Sequence, residues 1–219
     1  MATRTKDIVR TAVIHGILIA ICVTMILPFL VVLTASLKCP LLGDDITPRV
    51  PDFIPKRFYW PNYLLGWQAG KLAVAFQNSI IISVVWTMGT VLVSAMAAYS
   101  IGRRQCFGHR WILLFFLSSM MFAGQTTIIP QFILYRSLGL YDSLAIFMIP
   151  GTGAFTIYLL CHWFKNVPKE IEEAALIDGC GESTIFFRII LPLSLPALAT
   201  VGLFAFMASW NNFVGPYVF

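Results

Sequence analysis

The sequence predicts an all-α, polytopic integral membrane protein. Hydrophobic residues fill 58% of the 219 positions and charged residues 11%, whereas a soluble domain carries roughly 25% charged residues. Mean hydropathy is +0.82. Five apolar runs reach the length of about 20 residues that a helix needs to cross a bilayer; they fall at about 12–37, 76–102, 111–134, 143–164 and 193–210.

The first run follows Arg4, Lys6 and Arg10, a basic flank like that of a signal peptide. Its apolar stretch is far longer than a secretory core of about 7–15 residues, so it reads as an uncleaved anchor. Pro28 is expected to kink it. Residues 38–75 mix charge, proline and aromatics and read as a membrane-surface loop with short interfacial helices. The second run carries Gly89, Ser94, Ala95, Ala97 and Ala98, small residues that let helices approach closely. The third contains "AGQTTIIP", the fourth "IPGTGAF", and the fifth is "LSLPALATVGLFAFMASW".

Orientation follows from short loops, where Lys and Arg mark the cytoplasmic side. The amino terminus has three basic residues, and the 103–110 turn has Arg103, Arg104 and Arg110. The 135–142 turn has only Arg136, balanced by Asp142. The amino terminus, the 103–110 turn and the stretch at 165–192 are therefore expected in the cytoplasm. Five spans would leave the carboxyl end outside.

The net charge of +5 does not indicate nucleic acid, because the basic residues cluster beside apolar runs and form no base-reading motif. Cys22, Cys39, Cys106, Cys161 and Cys180 are scattered without a CxxC pair, and by this topology only Cys39 faces an oxidising side, so no disulfide framework is expected. His15, His109 and His162 lack metal-ligand spacing, and no metal site is expected.

Half of the ten acidic residues lie between the fourth and fifth runs: Glu170, Glu172, Glu173, Asp178 and Glu182. Pro168 suits a helix start, and acids in the first turn complement the helix dipole. Ile171, Ala174, Ala175 and Ile177 recur at three- and four-residue steps, predicting an apolar stripe opposite an acidic face. Gly179 suits the left-handed residue after a helix end. A second piece, "ESTIFFRIILP", returns to the membrane with Phe186, Phe187 and Ile190 as its apolar edge, and Pro192 closes it. A solvated connector needs neither an alanine stripe nor a turn glycine; a helix that fits a groove uses both.

The spacing Glu173-Ala174-Ala175, three residues, Gly179, nine residues, then Ile189-x-Leu191-Pro192 resembles the "EAA" signature of permease subunits of binding-protein-dependent ABC importers. From about residue 76, "NSIIIS", "AAYSIGRRQCFG", "IIPQFILYRSLGLYDS", "PKEIEEAALIDG" and "SWNNFVGP" are similar to the carbohydrate-uptake branch, in its smaller maltose-type permease. The resemblance implies a single permease transmembrane domain over 1–219, with residues 165–192 as a coupling segment that docks in a cleft of the cytoplasmic ATPase. Carried over by position, Glu173, Ala174, Ala175 and Gly179 form the core of that contact. Glu172, Asp178, Ile189, Leu191 and Pro192 complete the segment. It further implies a second homologous permease subunit, an extracytoplasmic solute-binding protein, and a bacterial or archaeal inner membrane. Permeases of this type have six spans and end in the cytoplasm. Here "NNFVGPYVF" stands where the sixth would begin, so a truncated sequence is the expectation.

The chain has no GxxxxGK[ST] loop, no HExxH and no GxSxG. It is expected to be non-catalytic and to bind no cofactor, with ATP and Mg used by the partner ATPase. Polar residues within apolar spans are candidates for the path of a sugar or related polyol: Asn78, Gln125, Thr126 and Thr127, with Asn211 and Asn212 at the end of the fifth run. A self-contained secondary transporter would need intramembrane charges or symmetry-related broken helices, and the proposed spans contain no Asp, Glu, Lys or Arg. A membrane enzyme would need a ligand-like cluster, and the only cluster is the acidic segment. The alternatives are a self-contained secondary transporter or a permease for a non-sugar solute.

Overall fold

The structure is a computed structural model that describes residues 2–38, 58–104, 106–122 and 124–219, and no strand occurs among them. The described chain falls into two compact units, Met1–Ala75 and Phe76–Phe219. Residues 39–57, including Cys39, lie outside the described residues.

The first unit is built on α1 (Ala2–Ser36), an unbroken helix with Pro28 inside it. From Arg10 it is apolar along its whole length and long enough to cross a membrane. A second helix, α2 (Pro61–Ala69), begins on a proline, where the missing N–H would have had no partner. Asn62 fastens it to the end of α1 by donating from Nδ2 to the carbonyls of Ser36 (2.9 Å) and Lys38 (2.7 Å).

The second unit is organised around α3 (Leu72–Gly102), which enters it at Phe76. Then follow α4 (His109–Ser119), a 3₁₀ turn (Gly124–Thr127), α5 (Ile128–Ser137), α6 (Ala145–Met148) and α7 (Ala154–Asn166). After them come α8 (Lys169–Ile177), a helical stretch made of α9 (Glu182–Thr184), a π-helical turn (Ile185–Ile190) and α10 (Leu191–Leu193), and finally α11 (Leu195–Trp210) and α12 (Val214–Val218).

The core joins Ala95, Ala98, Tyr99 and Ile101 of α3 to Ile157, Leu160 and Phe164 of α7, Ile185, Phe186 and Ile190 of the π turn, and Ala197, Leu198 and Val201 of α11. The small residues of α3 do what their spacing predicts: Ser94, Ala95 and Ala98 are buried. At Gly102 the two helices are so close that a Cβ would stand 3.0 Å from the Cα of Cys161.

The run at 111–134 is two helices separated by the 3₁₀ turn, and the run at 143–164 is likewise divided. Pro150 forces the break in the latter, because a residue before proline is pushed out of the helical region; Ile149 sits at φ −67°, ψ 119°. Among the described residues three helices are long and apolar enough to cross a membrane: Arg10–Ser36, Leu72–Gly102 and Leu195–Val218. Pro192 does not close the returning piece. Proline is tolerated at the start of a helix, and α10 runs on from the π turn with Pro192 in its first turn, then leads through Ser194 to α11.

Candidate functional site

Helix α8 has Pro168 at its N-cap and Glu170 and Glu172 in its first turn. Its end is a Schellman motif: Cys180 N–H donates to Ala175 O (2.9 Å) and Gly179 N–H to Leu176 O (3.0 Å). That closure needs a left-handed residue, and Gly179 has φ +79°. The chain thus turns at Gly179 between α8 and the returning stretch, an elbow in which the glycine takes the left-handed conformation expected after a helix end.

The faces of α8 differ from the sequence expectation. Ala175 is buried and Ile171 half-buried, but Ala174 is exposed and Ile177 is 86% exposed. The second residue turned inward is an acid, Glu172, whereas Glu173 and Asp178 face out. An acid can point inward because a cation waits there. Arg103, one residue past α3, donates from Nε to Glu172 Oε1 at 3.0 Å, with both side chains almost wholly buried.

The same guanidinium donates to three backbone carbonyls, Phe164 (3.2 Å), Val167 and Pro168 (2.9 Å). These belong to the end of α7 and the link into α8, where carbonyls have no partner within a helix. A planar fork with five donors suits this task better than an ammonium. Tyr99 completes the set: its hydroxyl donates to Glu172 Oε1 at 3.4 Å, and its ring meets Phe164 edge-on and Phe186 at 5.0 Å. Arg104 lies over the Tyr99 ring (5.7 Å) and reaches Glu182 at 3.6 Å in a more exposed pair. The consecutive arginines therefore face the two arms of the elbow: Arg103 binds α8 through Glu172, while Arg104 makes only a long, exposed ion contact with Glu182 of the returning arm.

On the returning arm Phe186 and Ile190 are buried, Ile189 and Leu191 half-buried, and Phe187 and Pro192 exposed. In the sequence alone Arg103 and Arg104 stand only as topological charges. The signal that they do more was their position, directly after a small-residue helix and on the side expected to hold five acids.

A cavity of about 790 Å³ lies among α3, the 3₁₀ turn, α5, the α6–α7 break and the end of α11. Ser79, Ser83, Trp86, Gln131, Tyr135 and Asn212 line it, as does Thr127. Of the polar residues anticipated, Asn212 and Thr127 are brought there. Asn78 is half-buried one position from the lining Ser79, Thr126 is exposed in the 3₁₀ turn, and Asn211 donates to Met207 O (2.9 Å) at the end of α11. Gln125 belongs to the 3₁₀ turn, but its side chain lies outside the described residues.

The family described as the binding-protein-dependent transport system inner membrane component matches residues 4–219. This chain belongs to that family. As an inner membrane component it is 32% identical over 202 residues to the polygalacturonan/rhamnogalacturonan transport system permease protein of Bacillus subtilis, covering 92% of this chain and 69% of the relative. It is 31% identical over 218 residues to the diacetylchitobiose uptake system permease protein of Streptomyces coelicolor, covering 98% and 71%. The fold is that of a bacterial ABC transporter involved in the import of the acidic polysaccharide alginate: the TM-score is 0.77 at 24% identity, over 92% of this chain and 71% of that one. The relatives are carbohydrate permeases, and the helical membrane fold is shared.

Proposed function

We propose that this chain is a permease subunit of an ATP-driven importer for a sugar or related polyol, forming part of the solute path and taking its drive from a cytoplasmic ATPase through α8. In this reading residues 1–219 belong to one transmembrane domain of a bacterial or archaeal inner-membrane protein, with the amino terminus and the elbow in the cytoplasm. ATP and Mg are used by the partner ATPase. A second permease subunit and an extracytoplasmic solute-binding protein complete the assembly.

One observation carries the proposal. Helix α8 is anchored through its inner face by Arg103 and Glu172, while its outer face presents Glu173, Ala174, Leu176 and an 86% exposed Ile177. An amphipathic helix with a fixed back and a mixed apolar and acidic front is built to seat in a groove. Movement of the groove is then passed to α3 and α7 through the buried pair. The names of the relatives, permeases of carbohydrate uptake, supply the sugar.

Glu173→Lys and Ile177→Asp test this, since both positions are exposed. The expected result is a chain that inserts normally but no longer co-purifies with its ATPase, with uptake lost in parallel. Wild-type association and uptake in both variants would contradict the assignment.

A further inference from the structure

We infer that this subunit carries a saccharide subsite of its own, in the cavity between α3, α5 and the end of α11, and that the subsite takes uncharged sugar units. The inference rests on the reading of the chain as a sugar permease. At about 790 Å³ the cavity falls in the range of about 300–1,000 Å³ that encloses small organic ligands.

Its lining pairs fixed aromatic surface with neutral hydrogen-bonding groups. Trp86 packs on Gly151, where a Cβ would come within 3.1 Å of the indole. Trp210 is held edge-on by Phe76 (5.9 Å) and stacked by Phe206 (5.6 Å). Indoles held in one orientation suit the C–H faces of a pyranose ring and give contact area at little conformational cost. Around them stand Ser79, Ser83, Gln131 and Asn212. Asn212 Oδ1 accepts from Gly215 N–H (3.0 Å), which leaves its Nδ2 hydrogens as donors.

Among the described lining residues there is no Asp, Glu, Lys, Arg or His. A sugar carboxylate moved from water into such surroundings would lose hydration without gaining a cation, a large penalty. Hydroxyls lose only what amides and hydroxyls return.

The test uses the assembled importer in nanodiscs without its binding protein, titrated with maltotriose and with trigalacturonate while tryptophan fluorescence is followed. Maltotriose is expected to give a saturable change whose midpoint concentration rises roughly tenfold in the double variant Ser79→Ala with Gln131→Ala, which keeps both lining indoles, at an unchanged unfolding temperature. Trigalacturonate is expected to give none. A saturable trigalacturonate response of equal strength overturns the uncharged class, and a maltotriose titration unaltered in the double variant overturns the location. Uptake by the complete importer in proteoliposomes separates these failures from that of the sugar reading. If neutral saccharides enter but the double variant changes neither KM nor kcat, the subsite fails alone; if no saccharide enters the wild-type system, both fail.

Discussion

Arg103 Nε lies 3.0 Å from Glu172 Oε1, joining the residue after α3 to the first turn of α8 across 69 positions of sequence. Both side chains are nearly inaccessible to solvent. Taking two charges out of water costs several kcal/mol each, and the pair persists because its remaining donors are also satisfied. Here the guanidinium meets three carbonyls besides the carboxylate.

Breaking this pair from one side leaves a buried charge uncompensated, a loss of roughly 3–5 kcal/mol. Arg103→Met is expected to lower the unfolding temperature of the purified complex more than Glu172→Leu, because it also strands the carbonyls of Phe164, Val167 and Pro168. The double variant should recover part of the loss, and a double-mutant cycle by thermal unfolding measures the coupling.

Gly179→Ala puts a Cβ on a residue at φ +79° with open space around it, so its cost is conformational alone, about 1–2 kcal/mol. Gly179→Asn, which tolerates the left-handed region, should cost less. The order Gly, Asn, Ala in the amount of co-purified ATPase is the expected outcome.

Gly102→Val adds side chain where a Cβ already stands 3.0 Å from Cys161 Cα and 3.1 Å from Cys161 O. Backbone cannot give way as a side chain can, so α3 and α7 must separate. Overpacking of this kind costs about 1–3 kcal/mol, and the assembled yield in the membrane is expected to fall.

Thr90→Val should act in the opposite direction. The Thr90 hydroxyl is buried without a partner, and an isosteric apolar group removes an unsatisfied group whose burial costs about 1–3 kcal/mol. The unfolding temperature is expected to hold or rise. Thr90 does not line the cavity, so uptake is expected to stay at the wild-type level.

Periodicity and composition made the α3 packing face, the helix at 169–177 and its terminal glycine legible, because each depends on neighbours in sequence. The inward turn of Glu172 was not, since an alanine stripe predicts an apolar contact and says nothing of a guanidinium arriving from another helix. The break at Ile149 was written in Pro150, yet the apolar run around it reads as one span because hydropathy averages over a single proline. The cavity is assembled from Ser79, Gln131 and Asn212 on separate elements, so their proximity had no local trace. Asn211, equally polar and one residue away, instead bonds to its own helix.

In the proposed function α8 drives α3 and α7 through Arg103. The most direct test of this drive is ATP hydrolysis by the assembled importer, stimulated by solute-loaded binding protein, in the Arg103→Lys variant, which keeps the charge beside Glu172 but lacks the fork that reaches the carbonyls. The Arg103→Lys complex is expected to keep a full complement of co-purified ATPase with stimulation reduced about tenfold, a rise of about 1.4 kcal/mol in activation free energy. Wild-type stimulation in an intact Arg103→Lys complex would contradict it.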